Sequence, residues 1–188
     1  AEMHRWGSFH QRAMVDCLIE PAIDQINLEH FFQIRDWSEI VANNPFIPPG
    51  REYLYAKGLQ AGLEGDFILA SHLLIPQLEH SLRGLLAQHG TIPVRLTSDL
   101  IQDKYLLHEI LYLYFDELKE ILTEDVVFDL QGLLINRFGS NLRNKVSHGL
   151  AELGELAGVE SIYLWWLTLH LCCQPLAYRQ ILANEGDT

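Results

Sequence analysis

The chain has little positive charge and lacks the common motifs of nucleotide-binding and hydrolytic folds. Its 188 residues include 13 Lys and Arg against 25 Asp and Glu, a formal net charge of −12. Because phosphate binding depends on clustered Lys and Arg, this balance argues against a broad nucleic-acid surface, and we expect no DNA partner. No glycine-rich phosphate loop, dinucleotide-binding glycine motif or Gly-x-Ser-x-Gly elbow occurs, so any chemistry must lie elsewhere.

Metal-ligating residues are present, but not at the spacings of known ligand sets. There are nine histidines. No Glu is followed by His three residues later, as a di-iron bundle requires, and His108-Glu109 does not continue into His-Glu-x-x-His. We therefore expect no structural or catalytic metal and no other cofactor.

Cysteine usage and hydropathy favour a cytoplasmic protein. Cys17, Cys172 and Cys173 are an odd number, and the last two are adjacent within an apolar run, which is typical of core residues in a reducing compartment. No run reaches 18 apolar residues, and the first residues contain no apolar signal segment, so we expect no membrane segment. The first residue is not Met, and we expect the chain to be the C-terminal part of a longer protein.

The spacing of apolar residues predicts an all-α fold, a helical bundle of about five main helices. In the clearest case, Asp66 is a good N-cap for a helix to about Gln88, with leucines at helical spacing. The segment Asn43–Gly50 contains three prolines and a glycine, which forbid a helix. We therefore expect an N-terminal helical arm at residues 1–43 and the bundle domain at residues 44–188.

One segment, Arg143–Gly149, combines residues suited to phosphate chemistry. The guanidinium of Arg143 can hold a phosphate with two parallel hydrogen bonds, and His148 can exchange a proton near neutral pH. Asn144 is four residues before His148, hence on the same helix face, where its amide can orient the imidazole or contact a substrate. Two copies related by a two-fold axis would supply two histidines and two arginines for cleavage of RNA by its own 2′-hydroxyl, without a metal.

A purely structural interpretation of the same residues stays open. A short helix with Ser140 as N-cap, His148 in the last turn and Gly149 after it is good capping chemistry. On physical grounds alone, this interpretation is at least as strong as catalysis.

The same segment resembles the signature of the HEPN superfamily, whose ribonucleases carry Arg, four to six residues and then His. More narrowly, the chain is similar to a family of unknown-function domains marked by Arg-Asn-x-x-x-His-Gly. The resemblance covers residues 44 to about 175, and its segments occur in this order: Asn44–Glu52, Gly62–Phe67, Leu74–Glu79 and Asn141–Gly149.

The resemblance implies a homodimeric, metal-independent endoribonuclease domain of a longer bacterial protein. Arg143 would hold the scissile phosphate, His148 would act as acid or base, and Asn144 would orient. Candidate RNA-binding residues beside them are Arg137, Lys145 and Ser147. Relatives with a regulatory Tyr two residues after the His differ from this chain, which has Leu150 there.

Two further functions remain open: a catalytically inactive dimerisation or interaction module and, with less support, a small-molecule sensor. Local charge discriminates the enzyme from the module. A basic, open pocket around His148 favours the enzyme, whereas pairing of Arg143 with a carboxylate such as Glu152 or Glu155 favours the module. The apolar final helix, Ile162–Leu171, predicts a homodimer because it requires burial on most sides.

Overall fold

A computed structural model describes the backbone of residues 2–91, 94–96 and 102–186, and the side chains of residues 6–91 and 105–175. The all-α class is confirmed, with more and shorter helices than the five expected. The helices are α1 (Glu2–Met14), α2 (Glu20–Glu29), α3 (Ser38–Val41), α4 (Glu52–Leu63), α5 (Phe67–Gln88), α6 (Leu107–Leu113), α7 (Phe115–Leu122), α8 (Glu124–Leu134), α9 (Leu142–Ser147), α10 (Leu153–Leu156) and α11 (Val159–Gly186).

Two irregular elements interrupt the α-helices of the described chain. A π-helical turn, Val15–Ile19, joins α1 to α2. Strands β1 (Val94–Leu96) and β2 (Gln102–Lys104) form a short antiparallel pair, with Arg95 opposite Asp103.

Backbone geometry marks the boundaries between α6, α7 and α8. Tyr114 leaves helical geometry, with φ −109° and ψ 30°, and separates α6 from α7. Thr123 has a φ of 82°, which a β-branched residue seldom adopts, and separates α7 from α8. The apolar spacing runs through Tyr114, so the sequence pattern does not mark that break. Thr123, in contrast, was expected as the N-cap of a helix and is the N-cap of α8.

The chain forms two compact units. Unit 1 comprises residues 1–10 and 79–151. Its core is made of fully buried side chains on α6, α7 and α8, and Leu142 at the start of α9 is 1% exposed. Inside this core the amide of Gln131 donates to the carbonyl of Leu111 at 2.8 Å, which satisfies a polar group that would otherwise be costly to bury. Helix α9 is thus anchored to this core by Leu142.

Unit 2 comprises residues 11–78 and 152–188. The first half of α11 is buried within it, and hydrogen bonds connect it to distant segments. The indole of Trp165 donates to the Leu59 carbonyl at 2.9 Å, and the Asn44 amide donates to the Cys172 carbonyl at 2.7 Å. Asn44, in the proline-containing segment Asn43–Gly50, is thus buried.

The bounds of the two units differ from the expected division at residues 1–43 and 44–188. Residues 11–43 belong to the same unit as residues 44–78. Trp37, 3% exposed, donates from its indole to Gln60 Oε1 at 2.6 Å, and Val15 is fully buried. An independent N-terminal arm stays a prediction.

One described segment, Leu153–Pro175, is long and apolar enough to cross a membrane by length and composition. Half of its most apolar window is buried inside the chain. Leu164, Trp165 and Leu171 on α11 are at most 2% exposed. The burial that motivated the homodimer prediction is thus largely supplied within unit 2.

Candidate functional site

The segment that carries the candidate residues leaves α8 through a tight turn before α9 begins. The backbone N–H of Ser140 donates to the Gly132 carbonyl at 3.0 Å, and that of Asn136 donates to the Gln131 carbonyl at 2.8 Å. A Cβ on Gly139 would lie 2.1 Å from the Gly132 carbonyl oxygen, so only glycine fits there. The route of the chain into α9 is therefore fixed by backbone contacts to α8.

Helix α9 begins and ends at residues with special backbone geometry. Asn141, rather than the expected Ser140, is the N-cap, and it has the left-handed geometry, φ 52° and ψ 33°, that Asn tolerates well. His148 is the C-cap and donates from its backbone N–H to the Asn144 carbonyl at 3.1 Å. Gly149 follows with φ 66°, as expected for a glycine that ends a helix.

Arg143 is paired with a carboxylate from α5. Its Nη2 lies 3.2 Å from Oε2 of Glu79, 64 residues earlier in the chain. Its Nη1 donates to the side-chain oxygen of Asn144 at 3.1 Å, and the Asn144 amide in turn donates to Asn141 Oδ1 at 2.7 Å. The guanidinium is therefore held in one orientation by side chains of unit 1.

Glu79 also accepts from a second arginine. Arg83 Nη1 lies 2.8 Å from Glu79 Oε1, one helical turn along α5, and donates to the Tyr105 carbonyl at 3.3 Å. The side chains of Glu79, Arg83 and Arg143 are 14%, 22% and 21% exposed. Two guanidinium groups share one carboxylate, so this Arg-Glu-Arg cluster carries one net positive charge. Its partial burial makes each pairing stronger than a surface ion pair.

His148 contrasts with Arg143. Its side chain is exposed and, within the part of unit 1 that the structure describes, has no hydrogen-bond partner. The Asn144 amide is directed to Arg143 and Asn141 instead of to the imidazole. The expected orientation of His148 by Asn144 is thus not present in a single chain.

The three candidate RNA-binding residues have different surroundings. Ser147 is exposed beside His148. Lys145 is half-buried, and its backbone carbonyl accepts from the N–H of Leu150 at 2.8 Å. Arg137 is exposed, with its guanidinium carbon 4.8 Å from the centre of the Phe138 ring. Ser147 and Lys145 thus belong to the segment of His148, whereas Arg137 belongs to the turn before α9.

Glu79 and Arg83 were not among the site residues predicted from the sequence. Their spacing of four on a predicted helix is a readable signal for an ion pair. No local pattern, however, indicates that a carboxylate on α5 meets Arg143 on α9, because that contact depends on how the elements of unit 1 pack.

Other chemically reactive groups offer no competing site in the described residues. No cluster of three or more His, Cys, Asp or Glu is placed to hold a metal ion among them. Cys172 is fully buried, and its burial raises the pKa of the thiol far above its ordinary value. A thiol of that kind is a packing residue rather than a nucleophile.

The comparisons with known proteins are negative: no protein-family model matches the chain, and no curated protein or solved structure is similar to it at a significant level.

Proposed function

We propose that this chain is a ribonuclease-like domain that acts as a homodimer, with Arg143 and His148 of each subunit at one composite site. The observation that carries the proposal is the contrast at α9: a preoriented Arg143 guanidinium lies five residues before an exposed His148 imidazole that has no hydrogen-bond partner among the described residues. An exposed histidine is available to a substrate, and an arginine of fixed orientation costs less entropy when it binds a phosphate.

The proposed reaction needs only the groups that the chain supplies. A neutral His148 takes the proton of the RNA 2′-hydroxyl, whose oxygen attacks phosphorus as the bond from phosphorus to the 5′-oxygen breaks. A protonated His148 of the second copy gives a proton to the leaving 5′-oxygen. Arg143 stabilises the charge on the crowded phosphoryl group. The products are a 2′,3′-cyclic phosphate and a 5′-hydroxyl.

A second function, an inactive interaction module, is favoured by a specific observation. Arg143 is paired with a carboxylate, which is the arrangement that the charge criterion assigns to the module, although the partner is Glu79 rather than Glu152 or Glu155. In this alternative, Arg143 and Asn144 hold α9 on unit 1 and no RNA is cleaved.

Cleavage of RNA separates the two functions. We expect wild-type protein to cleave RNA in the presence of a chelator, to leave DNA of the same sequence intact because it lacks the 2′-hydroxyl, and to yield 2′,3′-cyclic phosphate ends. His148→Ala should lose a hundredfold or more of the rate, roughly the contribution of one proton-transfer group. Mass spectrometry of the fragments identifies the ends.

Two substitutions of Arg143 provide the matched comparison. Arg143→Ala should inactivate, and Arg143→Lys should recover little activity because an ammonium cannot form two parallel bonds to phosphate. If wild-type dimer leaves a broad panel of RNAs intact, as the His148→Ala protein does, the module is the better account.

Assembly is tested separately by sedimentation. The composite site requires two copies, so we expect a stable homodimer at micromolar protein. A monomer throughout that range would remove the composite site while leaving each single-chain contact of Arg143 in place.

A further inference from the structure

We propose that a pocket in unit 1, beside the turn that leads into α9, binds one nucleobase of a single-stranded RNA. The inference rests on the proposed function, since it assigns how that substrate is held near Arg143 and His148. The pocket has a volume of about 340 Å³, and it is lined by Tyr112, Ile135, Asn136, Arg137 and Phe138.

Two aromatic rings are presented to solvent at this pocket. Phe138 is 53% exposed and Tyr112 is 49% exposed, while Ile135 is 9% exposed. An exposed phenylalanine ring gains stability when an aromatic ligand covers it, because stacking removes apolar surface from water. The Phe138 ring is therefore the expected stacking surface.

Hydrogen bonds of Asn136 hold the Tyr112 hydroxyl and the Phe138 backbone in place without a ligand. The Asn136 amide donates to the Tyr112 hydroxyl at 3.0 Å, and Asn136 Oδ1 accepts from the backbone N–H of Phe138 at 2.9 Å. The backbone of Gly139 donates to the Asn136 carbonyl at 3.0 Å, which closes the turn. A preformed pocket loses less entropy on binding than one that must first be ordered.

The charge at the pocket fits a nucleotide. Arg137 lies 4.8 Å from the centre of the Phe138 ring, so its guanidinium can stack on a base or contact the adjoining phosphate. Stacking on an aromatic ring and an arginine tolerates any base, since every base has a π-face. The ligand class is accordingly single-stranded RNA with little base preference.

The position in the chain places this pocket near the candidate catalytic residues. Arg143 comes five positions after Phe138, and a fully extended chain over five positions spans at most about 18 Å. The turn and α9 are more compact than an extended chain, so the two Cα atoms are closer than that. A base at Phe138 and a phosphate at Arg143 can thus belong to one short strand.

The test uses an oligonucleotide that the protein cannot cleave. A single-stranded RNA with 2′-O-methyl groups blocks the attacking oxygen, and a 2-aminopurine base reports stacking by loss of fluorescence. With wild-type protein we expect binding and quenching. Phe138→Ala should weaken binding about 5- to 150-fold, the range for loss of one stacked base, and Phe138→Trp should restore it.

Two controls separate the pocket from general effects. Phe31→Ala removes another exposed ring, 86% exposed and outside the pocket, and should leave affinity unchanged. An oligonucleotide of the same length without bases should bind weakly and equally to wild type and Phe138→Ala, because only the base contacts the ring.

Each outcome decides the proposal. Unchanged affinity and quenching in Phe138→Ala would overturn it, as would a Phe138→Ala protein that loses only self-association in sedimentation, which would make the ring part of a contact between copies. If Phe138→Ala weakens binding but neither wild type nor His148→Ala cleaves RNA, the pocket stands and the nuclease proposal fails.

Discussion

The two ends of the Arg143–His148 segment differ in what their side chains contact. At the first end, Arg143 and Asn144 hydrogen-bond to Glu79 and Asn141 within a half-buried network. At the second end, Ser147 and His148 are exposed, and the described part of unit 1 offers no hydrogen bond to the imidazole.

This difference shows that a short motif can contain residues with separable roles. The first end stabilises unit 1 whether or not RNA is bound, whereas the second end contributes little to the fold. Substitutions at the two ends should therefore separate stability from activity, and four variants test this in order of decreasing effect on stability.

Gly139→Ala should have the largest effect on stability, because it disrupts the support of both ends. Its Cβ would meet the Gly132 carbonyl oxygen at 2.1 Å, so the turn must move and the Ser140 hydrogen bond is lost. We expect a loss of about 3 kcal/mol in the free energy of unfolding, at the upper end for overpacking, measured by urea denaturation. Gly154→Ala, where no atom lies within 4 Å of the new Cβ, is the control.

Glu79→Gln should have the next largest effect, because it removes the charge shared by two arginines. Arg83 and Arg143 would then face each other without a carboxylate, which we expect to cost about 2 kcal/mol. Urea denaturation measures the loss. Glu117→Gln on the exposed surface of α7 is the control. Equal stability of the two variants would contradict a structural role for the cluster.

Arg143→Ala should cost less than Glu79→Gln, about 1 kcal/mol, since Glu79 keeps its 2.8 Å pair with Arg83. A double-mutant cycle with Glu79→Gln measures the coupling between the two side chains, and we expect it to be favourable. Zero coupling would mean that the 3.2 Å contact contributes nothing to stability.

His148→Ala should have the smallest effect, within about 0.5 kcal/mol, because an exposed side chain that makes no hydrogen bond to the described residues contributes little to folding. Thermal unfolding of wild type and variant at equal protein concentration checks this. A large loss of stability would show that His148 is part of the fold and would erase the contrast between the two ends.

Local sequence chemistry predicted much of what is local in the structure. Helix α5 follows from its apolar spacing and from Asp66, which accepts from the backbone N–H of Leu69 at 3.0 Å. The end of α9 at Gly149 follows from the freedom of glycine at positive φ. The start of α8 at Thr123 was expected, because threonine is a good N-cap residue, but its positive φ could not be predicted, since neither its side chain nor its spacing favours that geometry.

Contacts between segments that are distant in the chain could not be predicted from the sequence. The last helix was expected to require burial on most sides, and segments of unit 2 more than a hundred residues earlier pack against it, as the Trp165–Leu59 hydrogen bond shows. The partner of Arg143 was sought among nearby carboxylates, but it is 64 residues away. The need to bury the last helix was correctly recognised, whereas the segments that bury it and the carboxylate that pairs with Arg143 depended on packing.

The Arg143–Glu79 pair uses only part of the hydrogen-bonding capacity of the guanidinium. An arginine has five N–H groups. One is directed to Glu79 and one to Asn144, which leaves three without an acceptor among the described residues. A phosphate needs two of them for parallel hydrogen bonds. The same side chain thus has enough N–H donors to hold α9 in place and to bind an anionic ligand at the same time. The bonds to Glu79 and Asn144 need not break for the ligand to bind.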